Sequence, residues 1–172
     1  MTPTDQTPPA AADHGTHAVI PAFNAGDDLL GVAERTSRRL GRERVFIVND
    51  GSTDGVPERL RKEGYHVIDH ETNLGKGAAL ASGFAAALAA GARGVVTLDG
   101  DGQHDPDWIP GFLEAARGAD VVVGSRMKEP GAMPWLRVAV NHFTSAVVSL
   151  LAGARITDSQ SGFRWIAAPV LR

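Results

Sequence analysis

Asp99 and Asp101 stand on either side of Gly100 in the run VVTLDGDGQHDPDW, residues 95 to 108, directly behind a stretch of β-branched residues. Two carboxylates at that spacing can approach one hard cation, and Gln103 adds a neutral oxygen two positions further on. Oxygen donors in a chain without cysteine favour Mg²⁺ or Mn²⁺ over zinc. Such an ion keeps ligand positions for water and for substrate phosphates. Gly100 is expected to admit a tight backbone between the two acids. Asp105, just ahead of Pro106, reads instead as the cap of a following helix. His104 is expected to be exposed or to support the acids from behind.

Four other runs are polar or glycine-rich. In NDGSTD, residues 49–54, Gly51 allows a sharp turn, while Asp50, Ser52 and Asp54 can bond backbone groups or a nucleoside. In NLGKG, residues 73–77, Lys76 lies between two glycines at a helix start, where it can meet a phosphate or a base edge. Its G-x-G lacks the position and spacing of a dinucleotide fingerprint, which argues against a nicotinamide enzyme. PAFN at 21–24 and GSR at 124–126 complete the set. His17, His66, His70 and His142 have no metal-like spacing, and neither a G-x-S-x-G elbow nor a triad arrangement is legible.

These groups need elements to position them. Short β-branched runs at 17–21, 45–49, 66–69, 95–99 and 121–124 alternate with segments that read as helices, a βαβ repeat. Leu29, Ala33, Ser37 and Leu40 form a buried helical stripe, with Arg35, Arg38, Arg39 and Arg42 off that face. Residues 76–90 are alanine-rich, so slim side chains would let that helix pack close to the sheet. A further helix follows Pro106 through Trp108, Ile109, Phe112 and Leu113. Right-handed crossovers make the strands mostly parallel, and open parallel sheets bind ligands beyond the carboxyl ends of their strands. The five polar runs therefore converge on one edge.

The 172 residues, 43% apolar and 22% charged, suit a single soluble domain. A net charge of −3 supplies no general attraction for nucleic acid, so any anion site must be local. Without cysteine there is no disulfide and no thiolate chemistry, which fits a cytoplasmic setting. Residues 1–15, with three prolines, read as a disordered tail. No stretch reaches the roughly 20 apolar residues that span a bilayer. Residues 138–154 are broken by Asn141, His142, Thr144, Ser145 and Ser149, and read as amphipathic. Their apolar residues Val140, Phe143, Val147 and Leu151 suit either plain core or contact with a membrane's cytoplasmic face.

Taken in order, VIPAFN, FIVNDGSTDG, NLGKGAAL, TLDGDGQHDP, VVGSRM and DSQSGFR resemble the inverting family-2 glycosyltransferases, in particular the dolichyl- and polyprenyl-phosphate sugar synthases. The resemblance covers about residues 16 to 169. It implies an α/β fold of the GT-A nucleotide-sugar-binding type, with a mostly parallel central sheet flanked by helices, in one catalytic domain over 16–172. It implies a divalent cation, Mg²⁺ or Mn²⁺, and inverting transfer from a nucleotide sugar of the GDP-mannose or UDP-glucose type to a polyprenyl phosphate. On matching positions, Pro21, Phe23 and Asn24 would surround the nucleoside and Asp50 would read the base. Asp99 would touch the ribose or the metal, and Asp101 with Gln103 would hold the metal at the diphosphate. Arg126 and Arg137 match the positions of an acceptor-phosphate clamp, for which a guanidinium fork is suited.

Asn49 stands where many relatives carry an aspartate. Relatives generally continue beyond SGFR, so a chain ending at Arg172 is expected to be incomplete at its C-terminal end. Two alternatives stay open. One is a saccharide hydroxyl acceptor, with Asp158 as the carboxylate base; the other is a nucleotide-sugar-binding fragment without turnover.

Overall fold

A computed structural model describes residues 15–124 and 161–172. Arg126, Arg137, Asp158 and the amphipathic segment at 138–154 lie outside the described residues. Gly15, at the end of the expected tail, already belongs to the fold: its carbonyl accepts the Arg93 N–H at 2.8 Å.

Six strands form one sheet: β1 (Thr16–Ala22), β2 (Val45–Asn49), β3 (His66–Asp69), β4 (Gly94–Thr97), β5 (Val121–Val123) and β6 (Arg164–Ala167). The spatial order is β3-β2-β1-β4-β6-β5. β1 pairs in parallel with β2 and β4, and β2 with β3, whereas β6 runs antiparallel between β4 and β5. Among the described residues four helices cover the sheet: α1 (Asp28–Leu40), α2 (Val56–Lys62), α3 (Lys76–Ala89) and α4 (Ile109–Ala115).

The period-two alternation of the central strands divides the interior. Ala18, Ile20, Val45, Ile47, Val96 and Leu98 join Leu29, Val32 and Ala33 of α1 and Ile109, Phe112 and Leu113 of α4. Their neighbours Val19, Phe46, Val48 and Val95 face the other way, toward Ala79 and Ala87 of α3. Burial on both faces is why these strands read as continuous aliphatic runs.

α3 sits close, as its composition suggests. A Cβ at Gly83 would lie 2.3 Å from Val19 Cγ1 and 3.1 Å from Val48 Cγ2. The stripe of α1 differs in detail from the expected one, with Val32 and Thr36 buried beside Leu29, Ala33 and Leu40. Ser37 is only partly buried, and its hydroxyl meets the Tyr65 hydroxyl at 3.3 Å. Trp108, expected within the helix after Pro106, is 67% exposed. It ends a 3₁₀ turn, Pro106–Trp108, and the inward face begins at Ile109. Arg35 and Arg39 of α1 fasten that turn by bonding Asp107 at 2.8 and 2.9 Å.

β6 was not legible as a strand. Trp165 anchors it: the indole lies where a Cβ on Gly94 would come within 2.4 Å, and its N–H donates to Thr16 Oγ1 at 3.0 Å. Among the described residues no helix is long and apolar enough to cross a membrane.

Candidate active site

The carboxyl ends of β1, β2 and β4 lie side by side, and their loops are tied to one another. Asn24, with φ +48°, accepts the Thr53 N–H on Oδ1 at 2.8 Å, and its own N–H donates to Ser52 Oγ at 3.0 Å. The Gly26 N–H donates to Asp54 Oδ2 at 3.0 Å. The PAFN and NDGSTD runs thus form one double loop. Phe23 projects from it, 51% exposed, and Pro21 is partly buried behind.

Asn49 ends β2 and works as a clasp: Oδ1 accepts the Ser52 N–H at 2.8 Å, and Nδ2 donates to Asp69 Oδ1 at 2.9 Å. Asp50 follows, 3% exposed. Its Oδ1 accepts from Leu74 N–H at 2.9 Å and from His70 Nδ1 at 2.7 Å, while Oδ2 accepts the Gly75 N–H at 2.9 Å. Burial alone would raise this carboxyl, but the bonds from Leu74, His70 and Gly75 outweigh it and hold it below the usual carboxylate value. Gly51 has φ +78°, and a Cβ there would come within 2.7 Å of Asn73 N, so the loop before α3 lies directly on the tip of β2.

That loop brings Lys76 to the acids. Its ammonium lies 2.5 Å from Asp99 Oδ1. The Asp99 N–H donates to His104 Nδ1 at 3.1 Å, and His104 is buried at 4% exposure, tilted against Phe163. His104 therefore supports the acidic loop from inside. Gly100 is not left-handed; its place is tight, since a Cβ would lie 3.1 Å from Cδ1 of buried Leu29, which would have to yield by a few tenths of an ångström. The positive φ of this loop falls on Gly102, at +73°. Asp101 is exposed and accepts the Gln103 N–H on Oδ1 at 3.0 Å, and Gln103 is exposed beside it. Asp105 caps as expected, accepting the Asp107 N–H at 2.9 Å.

Two features of the site were missed in the sequence. Gly162, just ahead of β6, lies so close that a Cβ would stand 2.5 Å from Asp99 Oδ2, and Thr97 Oγ1 donates to its carbonyl at 2.7 Å. The glycine of SGFR was the available signal. The second is an acid–imidazole–hydroxyl chain, for His70 Nε2 meets Ser82 Oγ at 2.9 Å while Nδ1 faces Asp50. Its members come from three separate elements, so no motif announces them.

The donor set is compatible with a hard cation. Asp99, Asp101 and Gln103 offer oxygen on one loop, partly open to solvent, which suits an ion that draws the rest of its shell from water and phosphate. Among the described residues no group of three or more His, Asp or Glu side chains gathers around a metal position.

A mostly parallel sheet with an antiparallel strand beside β4, and polar loops at the carboxyl edge, defines a fold of the GT-A type. It is shared with glucosyl-3-phosphoglycerate synthase from Mycobacterium tuberculosis, solved with Mn²⁺, UDP and phosphoglyceric acid. The TM-score is 0.68 at 22% identity, covering 94% of this chain and 58% of that one. The chain belongs to glycosyl transferase family 2, whose model matches residues 17–166. It is 32% identical over 162 residues to undecaprenyl-phosphate mannosyltransferase of Micrococcus luteus, covering 90% of this chain and 67% of that protein. Over 183 residues it is 32% identical to UDP-N-acetylglucosamine--dolichyl-phosphate N-acetylglucosaminyltransferase of Methanococcus voltae, covering 94% and 72%. Against two other curated relatives the chain spans 62% and 63% of their length.

Proposed function

We propose that this chain carries the donor site of an inverting, metal-dependent glycosyltransferase that moves a sugar from a nucleoside diphosphate to a polyprenyl phosphate. The observation that carries the reading is the loop behind β4, which bears Asp99, Asp101 and Gln103 and where Asp99 meets Lys76 at the carboxyl edge of the sheet. The acceptor class draws support from relatives whose names state undecaprenyl and dolichyl phosphate.

Residue roles carry over from the family resemblance at the matching positions. Pro21, Phe23 and Asn24 flank the nucleoside, and Asp50, whose oxygens are taken by His70 and the Leu74 and Gly75 amides, supports the base side from behind without touching the base. Lys76 meets the diphosphate, Asp99 the ribose or the metal, and Asp101 with Gln103 hold Mg²⁺ or Mn²⁺. When bound, that cation supplies positive charge to the departing diphosphate. An oxygen of the acceptor phosphate bonds to the anomeric carbon as that carbon's bond to the diphosphate breaks, inverting its configuration. The acceptor is already anionic near neutral pH and needs no strong base. It needs a clamp, and Arg126 and Arg137 are assigned to it, with Val140, Phe143, Val147 and Leu151 toward the lipid or a membrane surface.

The test pairs donor binding with transfer to a short-chain polyprenyl phosphate, for the full chain and for Arg126→Ala and Arg137→Ala. Lipid-linked sugar is the expected product, with both variants impaired in transfer and unimpaired in donor binding. A saccharide hydroxyl used in preference to the lipid phosphate overturns the reading and turns attention to Asp158 as base. Donor binding without any transfer leaves the binding-module alternative in its place.

A further inference from the structure

We propose that His70 is a positioning residue, which acts through Asp50 to hold Lys76 over the acidic loop behind β4. The inference rests on the donor site described above and assigns it a support that no motif carries.

The polarity of the chain is fixed at one end. A carboxylate only accepts, so His70 Nδ1 carries the proton that bridges 2.7 Å to Asp50 Oδ1. In the neutral ring Nε2 is then the acceptor for the Ser82 hydroxyl, 2.9 Å away. The imidazole, with its side chain 9% exposed, is thus gripped at both nitrogens, by the tip of β2 and by α3.

What the grip holds is the carboxylate plane. With Oδ1 fixed by His70, Asp50 presents its two oxygens to consecutive amides, those of Leu74 and Gly75. The next residue is Lys76, the first of α3, whose ammonium reaches Asp99. Gly51 adds a steric floor, since the main chain at Asn73 leaves no room for a Cβ there. The order acid, imidazole, hydroxyl matches a hydrolytic triad, yet here the acid also anchors two backbone amides. A group committed in that way transmits position.

Removing the ring takes one charge-assisted bond from a buried carboxylate and lets it turn away from the amides. The loop ahead of Lys76 then relaxes, and the ammonium loses its register on Asp99. The predicted defect is specific: contact with the diphosphate suffers, and contact with the nucleoside is spared.

The experiment is a double-mutant cycle on the full chain, with His70→Ala and Lys76→Met, read as affinity for a nucleoside diphosphate with Mn²⁺ and for the bare nucleoside. His70→Ala is expected to weaken the diphosphate by up to about fivefold, no more than loss of the exposed Lys76 contact itself, with little change for the nucleoside. On the Lys76→Met background the same change is expected to add almost nothing. His70→Asn, which keeps an N–H for Asp50, is expected to recover most of the loss. Ser82→Ala is the milder variant if His70→Ala does not fold, with a smaller loss in the same direction. Equal losses for both ligands, or additive effects of His70 and Lys76, overturn the proposal. A ligand-free measurement separates it from the donor reading: His70→Ala is expected to speed hydrogen exchange at the Leu74 and Gly75 amides. Unchanged exchange overturns the positioning role even if nucleotide binds, whereas an unsubstituted chain that binds no nucleotide overturns the donor reading alone.

Discussion

The ammonium of Lys76 lies 2.5 Å from Asp99 Oδ1, joining the first residue of α3 to the loop behind β4. Asp99 therefore already has a cation when no ligand is bound. A divalent ion arriving at the same carboxylate meets a like charge, while a diphosphate arriving with it gives Lys76 a second anion to bridge. Lys76→Met is accordingly expected to bind Mn²⁺ alone more tightly and Mn²⁺ with nucleoside diphosphate more weakly. The Lys76 side chain is 53% exposed, so solvent screening keeps each effect small, on the order of 0.2–1 kcal/mol. Titration calorimetry with and without nucleotide checks the two opposite signs, and a change of the same sign in both arms refutes the shared-carboxylate account.

Asp101 is the exposed acid of the pair and bonds only the Gln103 N–H among the described residues. Nucleoside diphosphate is expected to raise the unfolding temperature more with Mn²⁺ than with EDTA. At a ligand concentration about 100 times the dissociation constant the stabilisation amounts to roughly 2.7 kcal/mol. Asp101→Asn is expected to remove the difference between Mn²⁺ and EDTA and leave the unliganded protein almost unchanged. Equal stabilisation in EDTA and Mn²⁺ for the unsubstituted protein counts against a metal-bridged diphosphate.

Acid sensitivity follows from Asp50. Burial opposes its ionisation, but the N–H bonds prevail and its folded value lies below the unfolded one. A carboxyl shifted in that direction contributes its stability in full above the unfolded value of about 3.9, and loses it as pH falls through the folded value. Asp50→Asn faces an amide toward backbone N–H groups, at a cost of roughly 1.5–3 kcal/mol near neutral pH. Urea unfolding from pH 6 downward is expected to show the gap between the two proteins narrowing below about pH 4. A gap that stays constant to pH 3 means that the Asp50 bonds do not depend on its charge.

Much of this arrangement is legible in the sequence because aliphatic runs and turn residues are local signals. β2 and β3 fall where the β-branched runs end, and β1 and β4 differ from their runs only at the boundaries. The alanine and glycine of α3 foretell its close approach, which Gly83 makes against Val19 and Val48. β6 escapes for a physical reason: a four-residue strand inserted antiparallel between β4 and β5 is specified by pairing across long sequence separation, and its own pattern, Arg-Trp-Ile-Ala, is too short to alternate visibly. His70 and Ser82 escape likewise, since their link to Asp50 exists only once β2, β3 and α3 are packed. The acids of the β4 loop show the opposite case, in which residue types are plain but the reason for Gly100 is not. Leu29 of α1 closes the space beside that glycine, a relation no local window contains.

Gly162 tests whether Asp99 belongs to the working site without touching an acid. A Cβ there would stand 2.5 Å from Asp99 Oδ2 and 2.7 Å from Oδ1, and the carbonyl of Gly162 is held by Thr97 Oγ1, so the main chain has little room to retreat. The carboxylate is the part that gives way, because it is the end of a side chain and partly open to solvent. Gly162→Ala is therefore expected to cost little stability, on the order of 1 kcal/mol, while displacing Asp99 from Lys76 and from any cation on the loop. Gly111→Ala is the matched control: Gly111 lies inside α4 with nothing within 4 Å of a Cβ, and alanine favours a helix interior. Thermal unfolding of both variants with nucleoside diphosphate, in Mn²⁺ and in EDTA, gives the comparison. Loss of the Mn²⁺-dependent increment in Gly162→Ala, with Gly111→Ala unaffected, places the Asp99 carboxylate at the cation. Retention of the full increment in a folded Gly162→Ala protein removes Asp99 from the metal site and leaves that role to Asp101 and Gln103.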